Sequence, residues 1–126
     1  MNEHPMQNGS GLTRAYRATL CSIKGLKAAF VNESAFRQEL ALAACFIPLA
    51  FWLGQTTSEQ LILLAAVVMV LITELLNSAI EAIVDRVGTD YHELSGRAKD
   101  LASAAVFLSL GFAGFSFAWV AFQRFG

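Results

Sequence analysis

Glu74, Asn77, Glu81 and Asp85 stand at offsets of 0, 3, 7 and 11 in the stretch ELLNSAIEAIVD. On an α-helix those offsets bring all four to one face. The preceding residues 61–73 carry no charge, so the row lies where an apolar helix meets water. Carboxylates are costly at that depth, and side chains kept there against the cost point to a function. Their chemistry is that of a metal, a proton, or both. Magnesium suits them, because it needs few carboxylates and completes its octahedron with water and phosphate oxygens.

Those side chains need elements to position them. The chain has 126 residues, enough for one compact unit, and its composition is 56% hydrophobic with a mean hydropathy of +0.52. That is too apolar for an ordinary soluble domain of this size. Three stretches reach toward the roughly 20 apolar residues that a spanning helix requires. The first covers about 36–54 and includes Pro48, the second about 59–87, and the third about 98–123. Within the third, Gly111, Ala113, Gly114, Ser116 and Ala118 offer small surfaces where helices can approach closely. Before the spans, about residues 12–31, Leu12, Tyr16, Leu20, Ile23, Leu26 and Phe30 recur at steps of three and four. Arg14, Arg17, Lys24 and Lys27 lie largely off that line, a pattern suited to a helix lying flat on an anionic leaflet.

Basic residues set the orientation. Arg14, Arg17, Lys24, Lys27 and Arg37 precede the first span, and Arg86, Arg97 and Lys99 lie between the second and third. The turn at residues 54–58 has none. The positive-inside rule therefore puts the N-terminus, the second loop and the carboxylate row on the cytoplasmic side, where ATP is. Glu33 falls at the same interface. Spacing alone leaves it either a solvated turn residue or part of the site.

Other chemistries find little support. The sequence has neither GxxxxGK[ST] nor GxGxxG. Its net charge of −1 gives no sign of nucleic-acid binding. Cys21 and Cys45 form no metal-binding motif and are expected to be small apolar residues. His4 and His92 are far apart, and residues 1–11 offer no hydrophobic region with a cleavage site. Asp85 reads equally as a site residue or as an ion-pair partner of Arg86 or Arg97. Trp52, near a span end, reads as an interfacial anchor.

The segment ELLNSAIEAIVDRVGTDYHELSGRAKDLASAAV at residues 74–106 closely resembles the signature of the prokaryotic diacylglycerol kinase family. The match continues upstream through KGLKAA at 24–29 and NESAFRQE at 32–39, while the third span resembles the family in character only. The resemblance implies an all-α membrane protein with a surface helix and three transmembrane helices per protomer, assembled as a homotrimer. It implies an ATP- and Mg2+-dependent enzyme that phosphorylates the primary hydroxyl of diacylglycerol to phosphatidic acid. The setting would be the cytoplasmic face of a bacterial inner membrane.

Carried over by position, Glu74 would be the general base and Asn77 would orient it or the reacting groups. Glu33 and Glu81 would hold the metal that bridges the ATP phosphates. Arg14, Asp90, Tyr91, His92, Lys99 and Asp100 would join them in binding nucleotide. Arg14, Phe36, Arg37, Gln38, Glu39, Trp52 and Ser103, with Glu74, would line the lipid side. The sequence departs from the family at Gln60, where members can carry a basic residue, and at Ile23 and Phe30, where some have tryptophan.

Three other functions compete. A kinase of the same fold could act on undecaprenol, although HELSGRAKD at 92–100 looks more like the diacylglycerol enzymes. A small channel or transporter subunit would line a path with these carboxylates, yet the chain has no obvious filter or repeat. A non-catalytic scaffold would use Glu74 and Asn77 as helix–helix glue.

Overall fold

The computed structural model describes residues 10–126, so most of the polar 1–11 stretch, with His4, lies outside the described residues. Four helices follow one another: α1 (Gly11–Asn32), α2 (Ser34–Leu53), α3 (Thr57–Val87) and α4 (Glu93–Phe125). No strand occurs among the described residues. The chain divides into two units, residues 1–34 and 35–126.

In the first unit, Leu12, Tyr16, Leu20, Ile23, Leu26 and Phe30 of α1 are all exposed. The hydroxyls of Thr19 and Ser22 donate back to the carbonyls of Ala15 and Ala18 and keep their polarity within the helix. The Asn32 side chain donates to the Ala28 carbonyl at 3.0 Å, and Glu33 turns to extended backbone while its N–H still closes on Ala29. One residue thus breaks the helix.

In the second unit, α2, α3 and α4 are each long and apolar enough to cross a membrane. Only 22–28% of their most apolar windows is buried within the chain, which leaves most of that apolar surface facing outward. An apolar surface of this extent suits lipid or neighbouring helices. Pro48 lies inside α2, which continues through it; membrane helices accommodate such residues. The core gathers Ala43, Ala50 and Leu53 from α2, Leu63 and Val67 from α3, and Phe117 and Val120 from α4. Phe46 meets Phe117 edge to face at 5.1 Å, a favoured aromatic geometry. The most extensive pairing is that of α3 with α4. A hydrogen bond of 2.7 Å between Thr73 Oγ1 and Ser109 Oγ ties these two helices inside the apolar region.

The helix ends explain boundaries that the apolar pattern alone leaves soft. Thr56 Oγ1 accepts the Glu59 N–H at 3.1 Å, and Glu59 Oε1 accepts the Gln55 N–H at 2.8 Å. This reciprocal cap starts α3 ahead of its apolar run. His92 caps α4 with Nδ1, which accepts the Leu94 N–H at 3.1 Å, so α4 begins at Glu93 rather than near residue 98. The last carbonyls of α2 are also satisfied. Gln60 Nε2 donates to Phe51 and Gly54, and Arg124 Nη1 donates to Trp52 and Leu53. The Arg124 guanidinium lies 4.5 Å from the Trp52 ring centroid, a cation–π contact that joins the ends of α2 and α4.

Gly54 makes this corner possible. A Cβ there would stand 2.7 Å from Gln60 Cγ and 2.9 Å from its backbone nitrogen. Gly54→Ala is therefore expected to destabilise the protein by about 1–3 kcal/mol through overpacking. Thermal unfolding in detergent, followed by circular dichroism, measures the loss.

Candidate functional site

The row foreseen on α3 forms around a buried carboxyl. Glu74 is 5% exposed, the least exposed charged side chain of the core. One turn along, Asn77 Nδ2 donates to Glu74 Oε2 at 3.4 Å and to Glu81 Oε2 at 3.0 Å. A carboxamide between two carboxylates gives each a shared donor and fixes their spacing. Asn77 Oδ1 is buried and accepts no hydrogen bond. From α2, Glu39 brings its carboxyl close to Glu74, with Oε2 buried and without a hydrogen-bond partner. Glu39 thus faces Glu74 from α2, and Asn77 links Glu74 to Glu81 along α3, at the boundary of the apolar region. Beside Glu39 opens an apolar cavity of about 220 Å³, lined among others by Ala43, Phe46, Val67, Gly114 and Phe117.

A second cavity, about 200 Å³, lies where α3 gives way to α4. Asp90, Tyr91, His92 and Lys99 all line it, as do Asp85 and Ser95. The structure thus brings together four of the residues carried over as nucleotide-binding. Gly88 ends α3 and the short loop reaches the His92 cap, so the cavity wall is backbone held at both ends.

The two groups connect along α3, since Asp85 stands one turn beyond Glu81. Its Oδ1 accepts a 2.7 Å hydrogen bond from Lys99 Nζ. This partner differs from the expected Arg86 or Arg97. Arg97 instead pairs with Glu93 at 3.6 Å, one turn away on its own helix. Apolar spacing could not foresee Lys99, because the register of α3 on α4 depends on where the turn begins and ends.

The remaining positions are more dispersed. Asp100 and Ser103 are exposed on α4. Phe36 is buried in the first turns of α2, and Arg37 and Gln38 beside it are exposed. Trp52 stands 13 residues beyond Glu39 on α2, about 20 Å along the axis, packed with Arg124 and Phe125. Arg14 is exposed on α1, and Glu33 is half-buried at the break after it. Sequence reasoning passed over Thr73 and Ser109; each is a lone hydroxyl in an apolar run, which was the available signal.

The family described as Prokaryotic diacylglycerol kinase matches residues 20–121, most of the chain. The chain belongs to that family. It is 52% identical to the diacylglycerol kinase of Haemophilus influenzae over 83% of this chain and 89% of that protein. To the diacylglycerol kinase of Escherichia coli K12 it is 45% identical over 94% of this chain and 98% of the relative. For that of Pseudomonas aeruginosa the figures are 46%, 87% and 89%. The aligned regions span all four helices, so the family accounts for the whole architecture and for a membrane setting.

Asn77→Leu removes the donor shared by Glu74 and Glu81 and leaves a buried carboxyl oxygen without its partner. We expect a loss of about 1–3 kcal/mol, read as a lowered thermal midpoint in detergent.

Proposed function

We propose that this protein transfers the γ-phosphoryl group of ATP to the primary hydroxyl of diacylglycerol, giving phosphatidic acid and ADP. The observation that carries the proposal is Glu74: a buried carboxyl at the membrane boundary, held by Asn77, on the helix that also reaches the α3–α4 cavity. Family membership supports the reaction, and diacylglycerol kinase is the name that the relatives carry.

Glu74 takes the hydroxyl proton as the lipid oxygen attacks the γ-phosphorus, and the bond to the ADP oxygen breaks. A positioned base of this kind is worth about 10²–10⁴-fold. Asn77 orients the base by donating to it. Lys99, with Asp90, Tyr91, His92 and Asp100, binds the nucleotide together with Arg14, Glu33 and Glu81. Phosphoryl transfer asks chiefly for positioning and charge neutralisation, so a small constellation can perform it. Arg14, Phe36, Arg37, Gln38, Glu39, Trp52 and Ser103 form the lipid side with Glu74.

The residues present suit magnesium. The donor set is all oxygen, and the unpartnered Asn77 Oδ1 beside Glu81 is an acceptor in search of a positive charge. No cluster of three acidic, histidine or cysteine side chains fit for a metal occurs among the described residues. Magnesium can be held by one or two carboxylates together with phosphate oxygens. Glu33 and Glu81 would hold it, and it would neutralise charge on the phosphates.

The active assembly is a homotrimer in the bacterial inner membrane, with the site at its cytoplasmic face. Support comes from the outward-facing apolar surface of the spans and from Gly111 and Gly114, where an added Cβ would find open space. The loop charges support the orientation.

The test offers diacylglycerol and undecaprenol in parallel mixed micelles to purified protein with ATP, with and without Mg2+. Phosphatidic acid is expected, lost on chelation and restored by Mg2+. Product from undecaprenol alone would keep the site and change the substrate. No product from either lipid would overturn the proposal.

A further inference from the structure

Asp85 and Lys99 are 14 residues apart and meet across the α3–α4 turn, with Nζ 2.7 Å from Oδ1. Both line the 200 Å³ cavity together with Asp90, Tyr91 and His92. Their side chains keep 55% and 43% of their exposure. An ion pair so open to solvent adds little to folding stability. What it supplies is place. A lysine carries its charge on a flexible four-carbon stem, so an unrestrained Lys99 would sweep a wide volume of solvent. The carboxylate on α3 draws that charge toward the cavity, and Glu81, one turn back, attracts it from the same side. Arg97 is placed differently, since it is taken up by Glu93 on its own helix. An ammonium has three donors. Asp85 uses one, and two are left for a ligand in the cavity.

We propose that Asp85 is a positioning residue that holds the Lys99 ammonium over the α3–α4 cavity, so that the phosphates of a bound nucleotide meet a cation already in place. This rests on the lipid-kinase reading, with the cavity as the nucleotide site. The carboxylate works through the lysine and does not itself touch the nucleotide. Its effect lies on nucleotide binding, and its removal leaves the row of Glu74, Asn77 and Glu81 intact.

The experiment measures MgATP affinity by equilibrium titration, and KM and kcat for lipid phosphorylation, in wild type, Asp85→Asn, Asp85→Glu, Lys99→Met and the Asp85→Asn/Lys99→Met double variant. Circular dichroism confirms that each is folded. Asp85→Asn is expected to weaken MgATP binding roughly 3- to 5-fold, the scale of an exposed ion pair, with kcat falling less than KM rises. Asp85→Glu, which keeps the charge, recovers most of the affinity. In the Lys99→Met background, Asp85→Asn has no further effect, as a residue acting only through Lys99 requires. Unchanged or tighter binding in Asp85→Asn overturns the proposal. So does an equal loss with Lys99 absent. Wild type that makes no phosphorylated lipid overturns the kinase reading and this proposal together, whereas active wild type with an unaffected Asp85→Asn overturns this one alone.

Discussion

A carboxyl group buried at the edge of an apolar helix must find hydrogen-bond partners or be removed from the sequence. Glu74 is that group, and much of the second unit can be understood as what keeps it there. Asn77 answers it on the same helix, Glu39 faces it from α2, and Glu81 shares its amide donor. At the same level, the Thr73–Ser109 bond ties α3 to α4. Polar bonds between membrane helices are individually modest, about 0.6 kcal/mol on average. Their value here lies in fixing which face of α3 meets which neighbour. The opposite ends of the spans are fastened independently, by Gln60 and Arg124 on the last carbonyls of α2. The site end is thereby free to consist of groups chosen for chemistry.

That division of labour suits phosphoryl transfer between a water-soluble donor and a lipid. The acceptor hydroxyl comes from the membrane and the nucleotide from water, so the site has to straddle the boundary. One helix face does this by length alone. Glu74 to Asp85 covers eleven residues, about 16 Å of helix, from the buried carboxyl to the water-exposed cavity. The polarity of the row grades in the same direction: Glu74 is buried, Asn77 and Glu81 are half-buried, and Asp85 is exposed.

The order of elements and the shared face of Glu74, Asn77 and Glu81 were legible in the sequence, because both rest on periodicity. A 3.6-residue repeat places offsets 0, 3 and 7 together wherever the helix lies. The identity of the chemistry was legible from the extended resemblance at residues 74–106, which spacing alone could not supply. The helix starts were less so. His92 serves as a cap through Nδ1, and that depends on a rotamer rather than on a pattern. The partner of Asp85 was out of reach for a related reason: pairing across a helical hairpin depends on register, and a single residue more in the turn would bring another side chain opposite. Glu39 was foreseen only as a lipid-side residue, while its approach to Glu74 follows from packing of α2 on α3.

The central claim is that Glu74 is the base. Its most direct test is turnover by an isosteric Glu74→Gln variant at saturating MgATP and diacylglycerol, with nucleotide affinity measured on the same preparation. The account predicts kcat lowered by about 10²–10⁴-fold, with fold and MgATP affinity retained. Turnover close to that of wild type would contradict it and return Glu74 to a role in packing.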